Sequence, residues 1–264
     1  MKNKKDLTIK ELCELEFKEE KLTVPIGWNK NENIYVDLKN SSGIFITGTT
    51  GTGKSILIDD IIVSLMYKNS SSDVKFVMID PKKIELGEYD GINHLLGGKS
   101  HSSTLKGYDL LIYLLKVLDS RIMTLAKTNH RTIDGYNKDN HENWQHIFIF
   151  VDEGANIIKM KDSLSVFNKI LEFGKYVGIH LIYATNSYLK NYVNSKFIDK
   201  FDYCITFDLA SVEQEEFINI KGSSWLKGSG EAIIKSKNGK KTKFQAPFVS
   251  DNEINEVVLS NQYI

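Results

Sequence analysis

Gly48-Thr49-Thr50-Gly51-Thr52-Gly53-Lys54-Ser55 is the stretch whose reading decides the fold. It fits the spacing G-x-x-x-x-G-K-[S/T], a loop whose backbone N–H groups wrap nucleotide phosphates. Its flanks carry the required pattern. Gly43-Ile44-Phe45-Ile46-Thr47 is a short apolar run that predicts a buried strand. From Ser55 to Tyr67, the residues Ile58, Ile61, Ile62, Leu65 and Met66 recur at helical spacing. Bulky side chains at the glycines would block the wrap, and the N-terminus of the following helix adds partial positive charge. Gly48, Thr49, Thr50, Gly51, Thr52 and Gly53 are therefore expected to cradle a triphosphate. Lys54 is expected to reach its β- and γ-phosphates, and Ser55 to hold Mg²⁺.

The 264 residues suffice for one large α/β domain or two small ones. A composition of 41% hydrophobic and 26% charged residues fits a soluble globular protein. Lys and Arg number 34, as do Asp and Glu, so no global field advertises nucleic acid; a basic patch can still sit inside a neutral total. Arg121 and Arg131 are the only arginines. Cys13 and Cys204 lack metal-ligand spacing and are expected to stay reduced in a cytosol. No apolar run nears the ~18 residues of a membrane span. The first six residues are followed by no apolar signal segment. The expectation is a cytoplasmic chain with no membrane span of its own.

Residues 7–22 predict a short amphipathic helix carrying Leu7, Ile9, Leu12, Leu15 and Phe17. Two apolar runs, 24–28 and 34–38, flank an Asn-rich loop and predict a β-hairpin. Residues 74–79 predict a strand that stops at Asp80-Pro81-Lys82. This leaves Asp80 and Lys82 at the strand's C-terminal edge, where α/β sheets bind ligands. Leu111, Leu114, Leu115, Leu118, Ile122 and Leu125 define one face of a long helix. Residues 127–144 read as a polar loop holding solvated His130, Arg131 and His141.

Ile147-Phe148-Ile149-Phe150-Val151-Asp152-Glu153 is the second chemical landmark, an apolar strand ending in an acidic pair of Walker B type. Asp152 is expected in the Mg²⁺ shell, and Glu153 to accept a proton from the attacking water. A helix over 164–174 and a strand over 179–186 follow. An extra strand between the P-loop strand and the Walker B strand marks ATPases with an added catalytic glutamate. Its tip would bring Thr185 and Asn186 to the γ-phosphate as a sensor. A strand over 203–207, a helix over 211–218 and a hairpin of 231–235 with 243–248 close the domain. The hairpin tip, Lys237-Asn238-Gly239-Lys240-Lys241, is lysine-rich.

Together these segments resemble the motor domain of FtsK/SpoIIIE-type DNA translocases. The P-loop carries the resemblance with residues 76–86 (Phe76 to Leu86), 91–96 (Gly91 to Leu96) and 133–137 (Ile133 to Asn137). Val151-Asp152-Glu153, residues 178–185 (Gly178 to Thr185) and residues 226–231 (Leu226 to Glu231) carry the rest. The resemblance implies an α/β, RecA-like P-loop ATPase with a mostly parallel central sheet flanked by helices. It implies ATP and Mg²⁺ as cofactors, a homo-oligomeric hexameric ring, and double-stranded DNA pumped through its channel. The chain divides into an N-terminal helix and hairpin (1–38), the ATPase domain (39–250) and a C-terminal helix or tail (251–264).

The chain departs from the family pattern in several places. The family's Thr-Gln-Arg-Pro is here Thr185-Asn186-Ser187-Tyr188, and arginines usual near the subunit interface are replaced by Lys175 and Cys204. Against full-length members, the expectation is a chain without their membrane-spanning N-terminal part and winged-helix module. Such a minimal version resembles the FtsK-like proteins of plasmids, phages and conjugative elements. A relaxase, replication or transfer protein is then an expected partner. Lys54, Asp152, Glu153 and Asn186 are the expected catalytic set, and Lys159 and Lys161 the candidate pore-loop contacts to DNA. Two rivals stand beside this reading: a secretion ATPase of the same fold, and an ATP-binding recruitment module with little hydrolysis.

Overall fold

A computed structural model describes residues 7–82, 85–186, 192, 193 and 195–262. Lys83, Ile84, Ser187 and Tyr188, which entered the sequence comparison above, lie outside the described residues, as do residues 1–6, 263 and 264. In chain order the elements are α1 (Ile9–Leu15), β1 (Thr23–Trp28), β2 (Asn33–Asp37), β3 (Gly43–Thr47), α2 (Lys54–Lys68) and β4 (Val74–Ile79). Next come α3 (Thr104–Lys127), α4 (Ile133–Asn140), β5 (His146–Val151), α5 (Ala155–Ile158), α6 (Ser163–Val177) and β6 (Ile179–Thr185). The last are α7 (Ser195–Ile198), β7 (Tyr203–Thr206), α8 (Val212–Ile218), β8 (Glu231–Ser236), β9 (Lys241–Gln245) and α9 (Asp251–Ser260).

The strands form one sheet in the order β2-β1-β9-β8-β7-β3-β6-β5-β4. The run from β7 to β4 is parallel throughout, and the remaining strands extend it as an antiparallel wing. The parallel strands are covered on both faces, which is why they read as unbroken apolar runs. Along β3 the side chains alternate. Ile44 and Ile46 enter the core shared with α1, α2 and α9, while Phe45 enters the core shared with α3 and α6. β6 lies between β3 and β5, where the added-strand expectation puts it.

Three elements depart from the sequence expectation. The helix expected over 7–22 stops at Leu15. Glu16 is extended and Phe17 has φ 53°, so the chain turns towards β1. The Lys68 ammonium holds that turn by donating to the carbonyls of Phe17 and Thr23, at 2.9 and 2.6 Å. The loop expected over 127–144 contains α4, a helix with one buried apolar residue, Ile133. It has no apolar stripe to read; a Thr132 cap and the paired amide bonds of Asn137 with the Trp144 backbone, both 3.0 Å, hold it instead. Finally, the last strand ends at Gln245 and not at Phe248. The Ala246 N–H turns away to the Gly230 carbonyl, and Pro247 has no N–H to give a ladder.

α2 buries Asp59 and Asp60 side by side. Burial, reinforced by the charge of Asp59, pushes the Asp60 carboxyl well above the usual carboxylate range. The folded chain therefore keeps a proton there that the unfolded chain releases above about pH 3.9. Because the native state binds more protons, this contribution to stability falls as pH rises from that value towards the folded one. Asp60→Asn removes the dependence. Relative to wild type, its folding constant is expected to rise by about tenfold per pH unit until the folded value is reached. Urea unfolding at pH 5 and pH 7 checks this; a difference that does not change with pH would mean Asp60 is ionised in the fold.

Candidate nucleotide-binding site

The P-loop leaves β3 and enters α2 at the C-terminal edge of the parallel strands. Gly53 caps α2 with φ 119°, and a Cβ there would sit 3.0 Å from the Phe207 ring, so only glycine fits. The loop is docked on neighbours distant in sequence. The Thr49 N–H donates to the Asp208 carbonyl at 2.8 Å, and the Gly230 N–H to the Thr52 carbonyl at 3.1 Å. The Thr52 hydroxyl and the Lys54 ammonium both donate to the Thr49 carbonyl, at 2.8 and 2.9 Å. Lys54 is buried, which pushes its pKa below the usual lysine value; the charges of Glu153 and Asp152 oppose the shift. Gly48, Thr50, Gly51 and Ser55 complete the loop.

Asp152 and Glu153 stand at the tip of β5. Asp152 is buried, and burial together with Glu153, Asp80 and Glu85 pushes its carboxyl up to about 6. Glu153 takes a left-handed backbone, φ 51°, strained for a residue other than glycine. Its N–H donates to Asp152 Oδ1 at 3.0 Å. Glu153 Oε2 accepts the Asn186 N–H at 3.5 Å, and Glu153 Oε1 lies 3.5 Å from the Lys82 ammonium. Asn186, just beyond β6, donates from Nδ2 to Thr50 Oγ1 at 3.2 Å, linking the strand tip to the P-loop. Thr185 beside it is fully buried.

The P-loop and the acidic pair border one cleft of about 380 Å³, lined by Thr50, Gly51, Gly53, Lys54, Ser55, Lys82, Glu85, Asp152 and Glu153 among others. A larger cavity, about 680 Å³, is lined by Lys21, Lys39, Asp73, Asp134 and His146 and carries no glycine loop. Its lysines are already paired with carboxylates, Lys21 with Asp73 and Lys39 with Asp134, each at 3.0 Å. The chemistry therefore belongs to the smaller cleft. Ser55 and Asp152 fit Mg²⁺: a hydroxyl and a carboxylate are hard oxygen donors, and phosphate oxygens and waters would complete the shell. Four carboxylates near the cleft, facing Lys54 and Lys82, favour a further cation.

Lys82 is the functional candidate that sequence reasoning placed at the edge without giving it a role. The Asp80 carboxylate accepts the N–H groups of Lys82, Glu85 and Leu86 at 2.9 to 3.2 Å. Lys82 and Glu85, held by that cap, both line the cleft. The arginine-replacement positions fare differently. Cys204 lies inside β7, 1% exposed, in the core shared with α6. It cannot face a neighbouring subunit. Lys175 sits at the far end of α6, its ammonium 5.3 Å from the Tyr176 ring centre. Arg121 is a structural pin. Its half-buried guanidinium donates to the carbonyls of Val177 and Gln145 at 2.7 and 3.1 Å, and desolvation lowers its pKa to about 10. Lys159 and Lys161 are exposed between α5 and α6, and the Lys159 ammonium lies 4.8 Å from the Tyr192 ring centre. Among the described residues no helix is long and apolar enough to cross a membrane.

Fold and site together define an α/β domain of the P-loop, RecA-like fold, with the P-loop, the acidic pair and an intervening strand on one sheet edge. The chain belongs to the FtsK/SpoIIIE family, whose sequence model matches residues 11–221. It is 30% identical over 252 residues to the DNA translocase SftA of Bacillus subtilis (strain 168), covering 90% of this chain and 26% of SftA. It is 26% identical over 275 residues to the DNA translocase FtsK of Mesorhizobium japonicum, covering 90% of this chain and 31% of that protein. The chain thus spans about a quarter to a third of the length of these relatives. Among solved structures, the pCW3 conjugation coupling protein TcpA, a monomer form with ATPgS, superposes with a TM-score of 0.79 at 20% identity, covering 92% of this chain and 71% of TcpA. The cytoplasmic domain of the type VII secretion ATPase EccC of Thermomonospora curvata gives 0.75 at 21% identity, covering 99% of this chain and 33% of EccC. At such identities the likeness speaks for the fold alone.

Proposed function

We propose that this chain is the motor of an ATP-dependent double-stranded DNA translocase, working as a homo-oligomeric hexameric ring in the cytoplasm. The observation that carries the proposal is the convergence of Lys54, Ser55, Asp152 and Glu153 on one cleft, with Asn186 bonded to Glu153 and Thr50 of its lining, in a member of this family. Lys54, released from the Thr49 carbonyl, takes the β- and γ-phosphates of ATP. Ser55 and Asp152 would hold Mg²⁺, which would supply charge neutralisation on the phosphate oxygens. Glu153 accepts a proton from the attacking water, while Lys82 and the Asn186 N–H hold its two oxygens in place. Asn186 acts as the γ-phosphate sensor, a role supported by its bond to Thr50 of the P-loop. The named activity of SftA and FtsK supports DNA as the substrate, and the chain's resemblance to minimal FtsK-like proteins favours service to a plasmid, phage or conjugative element, with a relaxase, replication or transfer protein as partner.

The decisive experiment is ATP turnover with and without duplex DNA. Strong stimulation is expected; a secretion ATPase or a recruitment module would show none. Lysine contacts to phosphates make DNA binding sequence-tolerant and steeply salt-dependent. Charge reversal of Lys159 and Lys161 is expected to weaken binding and to flatten the log K against log salt slope by about one unit per lysine. Charge reversal of Lys240 and Lys241, on the β8–β9 turn, is expected to do less. Equal effects from the two pairs would remove the α5–α6 connection from the DNA path.

A further inference from the structure

Glu153 is followed by Gly154, and the backbone there does not ask for glycine. Gly154 has φ −62° and ψ −1°, in the right-handed region that any residue adopts. What excludes a side chain is space. A Cβ at 154 would lie 2.4, 2.5 and 2.7 Å from Cε2, Cζ and Oη of Tyr183. Tyr183 stands on β6, fully buried, and its ring cannot swing away. Phe45 of β3 stacks on it at 5.9 Å between centroids, Phe167 of α6 meets it edge-on at 5.5 Å, and Phe201 lies tilted at 6.5 Å. The Tyr183 hydroxyl is buried and has no hydrogen-bond partner among the described residues. The residue therefore acts on its surroundings by shape.

The residues on either side of Glu153 are anchored. The Asp152 N–H donates to the Ile79 carbonyl of β4 at 3.0 Å, and the Gly154 N–H to the Ala184 carbonyl of β6 at 3.1 Å. The Gly154 carbonyl in turn accepts the N–H groups of Ile157 and Ile158, at 3.0 and 3.1 Å. Glu153 spans these anchors with its left-handed φ of 51°, so its place follows from where Gly154 rests. Gly154 rests on the Tyr183 ring. We propose that Tyr183 is a positioning residue for the Glu153 base, a rigid wedge against the Glu153–Gly154 turn that works only because position 154 has no side chain. β6 then sets Glu153 from two sides, with the Asn186 N–H on its carboxylate and the Tyr183 ring against its turn. This inference rests on the reading of Glu153 as the base.

The test uses the full chain and follows single-turnover ATP hydrolysis together with calorimetric ATP binding. Gly154→Ala is expected to slow hydrolysis on the order of 10²-fold, the cost of moving a reacting group by about 1 Å. ATP affinity is expected to stay, because Lys54 and Asp152 are anchored elsewhere. Adding Tyr183→Leu to Gly154→Ala clears the space and is expected to recover about tenfold of the lost rate. Tyr183→Phe keeps the ring and is expected to retain turnover. In a Glu153→Gln background, Gly154→Ala is expected to cost nothing further, since no base is left to misplace. A general loss of structure would instead slow both backgrounds alike. If Tyr183→Leu does not relieve Gly154→Ala, or if Gly154→Ala slows Glu153→Gln as much as it slows wild type, the wedge is wrong. If Tyr183→Phe is as slow as Gly154→Ala, the hydroxyl acts and the wedge is wrong, while the base stands. If Glu153→Gln hydrolyses ATP at the wild-type rate, the base reading falls, and this inference with it. Retained ATP binding also shows that each variant is folded.

Discussion

Glu153→Gln is expected to bind ATP as wild type does and to turn it over about 10²–10⁴-fold more slowly, the usual contribution of a positioned base. The amide is isosteric with the carboxylate. Its oxygen can still accept the Asn186 N–H, and it meets the same backbone with φ 51°. What it cannot do is take a proton from water. Asp152, one residue earlier and bonded to the Glu153 N–H, is left in place, so affinity for MgATP is preserved. Binding by calorimetry and single-turnover phosphate release separate the two effects. A wild-type rate would assign the base to another group, and loss of binding would show that Glu153 serves the ground state.

Cys204→Arg is the second large effect, and its direction is set by burial. Resemblance to the family suggests that an arginine at this position could complete a neighbour's site and raise the rate. The structure reverses that expectation. Cys204 pairs in register with Phe45 on β3 and with Lys235 on β8. It is 1% exposed, and burial pushes its thiol up to about 12. The Lys235 ammonium is already committed to Asp199 and to the Ile218 carbonyl, at 3.2 and 3.1 Å. A guanidinium at 204 would be buried beside a like charge, and Asp199, the carboxylate nearby, is already paired with that lysine. The expected result is a loss of about 3–5 kcal/mol of stability, the penalty for an uncompensated buried charge. Denaturant unfolding measures it. A stable Cys204→Arg protein with faster turnover would mean that β7 opens to a neighbour in the assembled ring.

The two large effects differ in how far the sequence alone reaches. Glu153 was legible because its neighbours in the chain announce it. Five apolar residues from Ile147 to Val151 can only be a buried strand here, and an acidic pair straight after them must emerge at its tip. The P-loop was legible for the same reason, since strand, glycine loop and helix are each encoded within a few residues. Cys204 was not. Alternation along β7 says that one face differs from the other, but both faces of this sheet are covered by helices. Exposure therefore could not be read from the pattern. α4 escaped because capping and the Asn137–Trp144 bonds hold it, and neither leaves a 3.6-residue stripe.

Residues 43–67 and 147–153 thus determined by themselves that this is a P-loop protein with a Walker B acid pair, because the periodicities and the glycine spacing act within one strand-loop-helix unit. Strand order decided the rest. With β6 inserted between β3 and β5, Asn186 reaches both Thr50 and Glu153. The Asp80 cap turns Lys82 towards Glu153, and the departure of the chain from β9 brings Phe248 to the P-loop. Each of these contacts joins residues dozens to nearly two hundred positions apart. Such pairs meet only when the sheet closes its hydrogen-bond ladders in one order, which the packing of both faces selects and no local window of sequence contains.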